Sequence, residues 1–289
     1  MLVDLVHVET SDGVRLDGIF QKASEPSISQ LGVDVIILHH GVYGNFYSAG
    51  MFDEYSEGLL ANGCAVLRVN NRGHDPISRV KVKNDVKRYG AAYEVIDESR
   101  HDWEAWIDFA QAAGFERIGL WGHSLGAVKS IYYMALNRDT RVKFVVAGSP
   151  PRFSCSAFAN MKEGTEFKKV LSQAQRYVEA GQPDTLMDVT NPYDILLTAD
   201  VFIEKYGPDE RYNILDYIPH VEVPLLITIG SCEAQANMAF NGLSEEVGNL
   251  AREFHNVTFE SIPGADHSYT HQREYVWSVV SKWMGNLSL

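Results

Sequence analysis

Apolar and polar residues alternate with a period of two at the start of the chain. Val3 to Glu9 and Val14 to Gln21 follow this rhythm on either side of Ser11-Asp12-Gly13, a turn signal, so the pattern predicts a β-hairpin. Short β-branched runs follow at Val33-Asp-Val-Ile-Ile-Leu38 and Ala65-Val-Leu-Arg-Val69, with a helical stretch from about Met51 to Ala61 between them. That order is a βαβ unit, which implies a parallel sheet. A helix is expected from about Asp97 to Ala113, where Trp103, Trp106, Ile107 and Ala110 recur at helical spacing. The strand Arg117 to Trp121, the helix Leu125 to Asn137 and the strand Val142 to Ala147 continue the alternation.

The rhythm breaks between about Pro150 and His220. This stretch holds helical segments such as Glu166 to Ala180 and no convincing buried strand. Strand and helix alternate again with Val223 to Ile229, a helix from Leu243 to Phe254, the strand Val257 to Ile262 and a last helix from Gln272 to Met284. The expected architecture is an α/β core of residues 1–150 and 221–289, a mostly parallel sheet with helices on both faces, interrupted by a helical cap at 151–220.

Composition changes this picture little. With 45% hydrophobic and 22% charged residues the chain has an ordinary globular profile. A net charge of -13 argues against nucleic acid or an anionic membrane as partner, because both need a positive surface. Cys64, Cys155 and Cys232 are odd in number and widely spaced, which suggests neither a disulfide framework nor a CxxC metal site. The N-terminal segment lacks the basic start and apolar run of a secretory signal, so the cytoplasm is the expected location. A small-molecule substrate is the expected partner, with self-association into a homo-oligomer left open.

The candidate chemistry begins at Gly122-His123-Ser124-Leu125-Gly126, a G-x-S-x-G pattern between an expected strand and an expected helix. Its glycines permit a sharp turn that projects the serine hydroxyl, with the helix N-terminus beneath favouring negative charge. Here the chain resembles the α/β-hydrolase superfamily, and further motifs fall in order. The Ser11-Asp12-Gly13 hairpin is similar to the family's opening strands, and His39-His40-Gly41-Val42 to its oxyanion loop. Asn71-Arg72-Gly73-His74-Asp75 resembles the R-G-H-G turn, with Asp75 in place of the usual glycine, a change expected to matter little.

The resemblance implies a triad in the chain order serine, acid, histidine. Pro263-Gly264-Ala265-Asp266-His267 matches the family's G-x-D-H pattern after the last strand and points to His267 as general base. Gly230-Ser-Cys-Glu233 puts Glu233 where the family commonly has Asp, so Glu233 is the expected acid and Asp266 the alternative carboxylate. Backbone N–H groups of Val42 and Leu125 occupy the oxyanion-hole positions. Tyr43 and His123 beside these loops, with Phe153, Phe158 and Tyr193 of the insertion, are the expected substrate contacts.

Other readings compete. His39, His40, His74, Asp75 and His267 form a conceivable metal cluster, but the hydrolase loops explain their positions and close ligand pairs, such as two His at i and i+4 on one helix, are absent, so neither metal nor cofactor is expected. Dehalogenases and epoxide hydrolases on this fold carry Asp at the elbow, which Ser124 excludes. Tyr93-Glu-Val-Ile-Asp97, Tyr132-Tyr133 and Thr198-Ala-Asp-Val-Phe202 resemble an esterase branch that includes fungal siderophore esterases, which favours carboxylic ester or thioester hydrolysis. The same triad serves acyl transfer and carbon–carbon bond hydrolysis, and a non-catalytic binding protein on this scaffold is the remaining alternative.

Overall fold

A computed structural model describes residues 3–23, 29–48 and 50–288; Met1 and Leu2, at the head of the N-terminal segment read above, lie outside the described residues. The alternating segments form the hairpin β1 (Asp4–Glu9) and β2 (Arg15–Gln21). The βαβ unit is β3 (Val35–His39), α1 (Met51–Ala61) and β4 (Ala65–Val69). A ribbon absent from the sequence expectation follows, β5 (Ser78–Val82) and β6 (Asp85–Tyr89). Next come α2 (Ser99–Ala112), β7 (Ile118–His123), α3 (Leu125–Asn137) and β8 (Val142–Gly148).

The interrupting segment contains α4 (Cys155–Asn160), α5 (Gly164–Glu179), β9 (Leu186–Val189), β10 (Ile195–Thr198), α6 (Ala199–Tyr206) and α7 (Ile214–Tyr217). It is therefore not purely helical. Its two four-residue strands pair antiparallel with each other and stay outside the main sheet. The core resumes with β11 (Leu225–Gly230), α8 (Glu233–Ala236), α9 (Leu243–Glu253), β12 (Val257–Ile262) and α10 (Arg273–Gly285).

Eight strands form one sheet in the order β1-β2-β4-β3-β7-β8-β11-β12, parallel from β4 to β12 and antiparallel at the hairpin edge. The pleat sends alternate side chains of each strand to opposite faces. On β3, Val35 and Ile37 join Trp103, Trp106 and Ile107 of α2, whereas Ile36 and Leu38 join Tyr55 and Leu59 of α1 and Val276, Val280 and Met284 of α10. Burial on both faces explains why the parallel strands read as unbroken apolar runs. Strand order reverses around β3 and β7, and crevices that receive ligands open beyond the carboxyl ends of strands at such a point. Among the described residues, no helix is long and apolar enough to cross a membrane.

The 151–220 segment lies along that carboxyl edge. Thr198 donates its N–H to the Ala92 carbonyl at 3.0 Å, and Arg152 N–H bonds the Ala239 carbonyl at 3.2 Å. Leu196 N–H reaches the Tyr43 hydroxyl at 2.5 Å, tying β10 to the loop after β3.

Candidate active site

Ser124 stands between the last residue of β7 and the first of α3, with φ 55° and ψ −123°, a conformation that side chains rarely adopt. The turn is tight enough that a Cβ on Gly122 would collide with the Gly126 carbonyl. Ser124 N–H bonds the Gly148 carbonyl at 2.8 Å, which fixes the elbow to β8.

Two loops at the carboxyl ends of β11 and β12 bring the partners. His267 Nε2 lies 2.9 Å from Ser124 Oγ, and His267 Nδ1 lies 2.6 Å from Glu233 Oε1. With Nδ1–H donated to the carboxylate, Nε2 is left to accept the serine proton. Glu233 is buried, and its Oε2 accepts from Gly230 N–H at 2.7 Å and from Ser149 Oγ at 2.8 Å. One oxygen is thus held by the protein frame while the other meets the imidazole. Asp266 is exposed and accepts instead from Ser268 and Thr270 N–H in its own loop, bonds that hold its carboxyl below the ordinary range. Between the two carboxylates weighed above, the structure brings Glu233 to the histidine.

His123, beside Ser124, does not point into solvent. Its Nε2–H donates to the His267 carbonyl at 2.7 Å, and burial, with His267 nearby, pulls its pKa down to about 3. It therefore anchors the histidine loop as a neutral ring. Across the site, a Cβ on Gly41 would fall 2.7 Å from Ser124 Cβ, so the loop after β3 passes directly over Ser124. Among the described residues, neither Val42 N–H nor Leu125 N–H bonds a backbone carbonyl.

A cavity of about 270 Å³ opens on Ser124 and His267. Its walls are His40, Gly41, Val42, Gly44, Asn45 and Ser48 of the loop after β3, Gly50, Met51 and Phe52 where α1 begins, Arg68, His123 and Ser268. None of Tyr43, Phe153, Phe158 and Tyr193, the expected substrate contacts, lines it. Phe153 and Phe158 are fully buried against Tyr206, with ring centroids 5.1 Å and 6.4 Å away, and Phe167 lies 5.4 Å from Phe158. Their apolar area is spent on the segment's own core. Tyr193 packs against the same core, and its hydroxyl is buried. Tyr43 binds β10 as described. A larger cavity, about 650 Å³, lies between the β1–β2 hairpin and the β5–β6 ribbon and does not reach Ser124.

Several residues had no place in the sequence reading. Ser149 follows the end of β8, as the other site residues follow strand ends, and that position was the available signal. Asp75, in place of the glycine of the R-G-H-G turn, makes bonds of its own. At φ 60° it accepts from Asn45 Nδ2 at 2.8 Å and from the Tyr47 hydroxyl, and its N–H bonds the Gly44 carbonyl at 3.1 Å. A glycine there would adopt the backbone freely but could not tie the loop over Ser124 through a carboxylate.

No curated protein matches the sequence significantly. Solved structures resemble the whole chain at low identity. Est1E from Butyrivibrio proteoclasticus, with ferulic acid bound, is 19% identical with a TM-score of 0.65, covering 96% of this chain and 97% of its own. An esterase from Pyrococcus furiosus is 20% identical, TM-score 0.63, covering 98% and 90%. The α/β hydrolase GrgF from Penicillium sp. sh18 is 12% identical, TM-score 0.67, covering 99% and 100%. The family model for the alpha/beta hydrolase fold matches residues 34–191, from β3 through the elbow and into the inserted segment. More than half of the sequence thus matches that model, and the sheet order and elbow agree with it: the chain belongs to the α/β-hydrolase fold family.

Proposed function

We propose that the protein is a serine hydrolase that cleaves a carboxylic ester or thioester of a small molecule through an acyl-enzyme on Ser124. The carrying observation is the unbroken line Ser124 Oγ, His267, Glu233, at 2.9 Å and 2.6 Å. In this reading His267 Nε2 takes the serine proton as Oγ attacks the ester carbonyl carbon. Glu233 stabilises the resulting imidazolium and keeps its tautomer. The negative oxygen of the tetrahedral intermediate is received by the N–H groups of Leu125 and Val42. Collapse breaks the bond to the leaving group, to which His267 returns the proton. Water then repeats the sequence and frees the acid. The 151–220 segment acts as a cap that holds the oxyanion loop from behind, through Tyr43 and Leu196, and does not line the cavity.

Fluorophosphonate labelling, read by mass at Ser124, together with a chain-length series of p-nitrophenyl esters and acyl thioesters, tests this reading. Labelling and turnover that both vanish in Ser124→Ala are expected. Turnover surviving in a folded Ser124→Ala protein would overturn it, and labelling without turnover of any ester or thioester would move the reading to acyl transfer, carbon–carbon cleavage or binding.

A further inference from the structure

One side chain in the wall of the Ser124 cavity has no use in the hydrolysis of a neutral ester. Arg68 is the fourth residue of β4, a strand between β2 and β3 whose other residues are all apolar. It shares the α1 face of the sheet with Val66, and its side chain is only 10% exposed. Moving a guanidinium out of water costs several kcal/mol unless partners replace the lost solvation.

The partners present are few. One Nη bonds Asp53 in the first turn of α1, a carboxylate 46% exposed that does not line the cavity. The other reaches the Ser48 carbonyl at 3.4 Å, a long contact, and Nε has no partner among the described residues. Of five N–H donors in a rigid fork, most are left over. The rest of the wall supplies no competing charge. His40 and His123 are neutral, because burial pulls them down to about 4 and about 3, and Val42, Met51 and Phe52 are apolar. Gly50, Met51 and Phe52, where α1 begins, complete this wall; the Gly50 N–H is already taken by Asp53 Oδ2 at 2.7 Å, so Arg68 is the group there with donors to spare. In a protein of net charge -13, the cavity at Ser124 is thus lined by an arginine, while the carboxylate paired with it, Asp53, stays outside the lining.

We propose that the substrate carries a free carboxylate, which Arg68 receives while the ester carbonyl lies at Ser124. The inference rests on the hydrolytic reading above. A carboxylate matches the guanidinium fork in shape as well as charge, and it replaces by direct bonds the solvation that β4 denies to Arg68. Asp53 keeps the guanidinium in place when the site is empty and leaves enough donors free for a second acid.

The test compares esters that differ only in this charge. Mono-p-nitrophenyl glutarate is set against its methyl ester, and 3-carboxyphenyl butyrate against its methyl ester, so that the carboxylate is placed on the acyl side and then on the alcohol side. We expect at least one charged ester to exceed its masked partner in kcat/KM by about tenfold or more, the scale of one charge-assisted hydrogen bond. Arg68→Gln should collapse that ratio, and Arg68→Lys should keep part of it. Asp53→Asn keeps amide groups that can still hold Arg68 and accept the Gly50 N–H but removes the competing charge, so it should raise the ratio and decides the matter if Arg68→Gln fails to fold. A ratio of one or less in both pairs overturns the proposal, as does a ratio that survives Arg68→Gln or is not raised by Asp53→Asn. Cleavage of charged and masked esters alike sinks the carboxylate alone, whereas absence of both labelling and any ester cleavage sinks the hydrolytic reading itself.

Discussion

Nδ1 of His40 donates to the carbonyl of Gly41 at 2.8 Å. In a trans peptide the C=O and the following N–H point in opposite directions, so this bond, together with the one the same carbonyl accepts from Gly44 N–H at 3.1 Å, aims the N–H of Val42. The ring is itself held. Its Nε2 accepts from Asn71 Nδ2 at 3.2 Å, Asn71 Oδ1 accepts from Lys129 Nζ at 3.1 Å, and Lys129 is paired with buried Glu94. His40→Ala should therefore lower kcat by up to the hundredfold to thousandfold typical of losing an oxyanion donor, with a smaller change in KM. Steady-state kinetics on p-nitrophenyl butyrate would show it. An unchanged kcat would mean that the Gly41–Val42 peptide holds its orientation without the imidazole.

The backbone at Ser124 makes a prediction independent of chemistry. A side chain at φ 55°, ψ −123° stores roughly 1–3 kcal/mol of strain that glycine does not feel. Ser124→Gly should melt about 2–4 °C above Ser124→Ala, although glycine in an ordinary helix melts lower than alanine. Calorimetry of the two inactive variants decides it, and the reverse order would show that the elbow is unstrained.

Glu233 and Asp266 separate cleanly in the structure, and so should their variants. Glu233→Gln removes the charge that faces the imidazolium, and a loss of roughly 10³–10⁴ in kcat is expected by analogy with other triads. Glu233→Asp should be milder, since the charge is kept while the carboxylate retreats from His267. Asp266→Asn should cost little by comparison, because its carboxylate serves only Ser268 and Thr270. An Asp266→Asn protein more damaged than Glu233→Gln would reverse the assignment.

How far the sequence could be read follows from which signals are local. The elbow was legible because a short strand run gives way to a helical pattern across the G-x-S-x-G glycines. Glu233 was reached by counting from the glycine that ends β11. Their meeting in space needed only strand order. The β5–β6 ribbon was invisible because Ser-Arg-Val-Lys-Val and Asp-Val-Lys-Arg-Tyr mix charges with valines, and its turn uses Lys83 at φ 54°, not a glycine. Arg68 was hidden for the opposite reason, as one charge inside an apolar strand whose neighbours cannot be known from the chain. The aromatic residues of the insertion could not be placed from the chain, since sequence gives their apolar area but not the side on which it is buried.

Glu204 sets a pH dependence of stability. Burial pushes its pKa up to about 7; one oxygen accepts from the Tyr212 hydroxyl, and the other is buried with no partner among the described residues. In the unfolded chain the same group ionises near its ordinary value of 4.5. Between these values the folded state binds the extra proton, so stability falls as pH rises from about 4.5 to about 7. The loss contributed by this group is up to about 3 kcal/mol. Glu204→Gln should remove that part of the decline, and the gap between variant and wild-type melting temperatures should widen as pH rises to 7. A gap independent of pH would mean that Glu204 ionises normally in the folded protein.

The last prediction separates packing from selectivity in the inserted segment. Phe158 and Phe167 are fully buried with rings 5.4 Å apart, and Phe202 and Tyr206 complete the cluster, whereas Met51 and Phe52 stand in the wall of the Ser124 cavity. Truncating a buried phenylalanine leaves a void its neighbours fill only in part, at a cost of about 3–5 kcal/mol. Phe158→Ala should therefore lower the melting temperature sharply. It should leave the ranking of p-nitrophenyl acetate, butyrate and octanoate as it was, because its ring touches the segment's own core and no part of the cavity. Phe52→Ala should do the reverse, costing less stability because the residue is only partly buried, and shifting preference toward the longer acyl chain as the wall recedes. The two variants need to be compared well below their melting temperatures, so that loss of folded protein does not pass for loss of rate. Should Phe158→Ala reorder the ester series while Phe52→Ala leaves it untouched, the acyl group would have to lie under the 151–220 segment, and the cavity bounded by α1 would not be where the substrate binds.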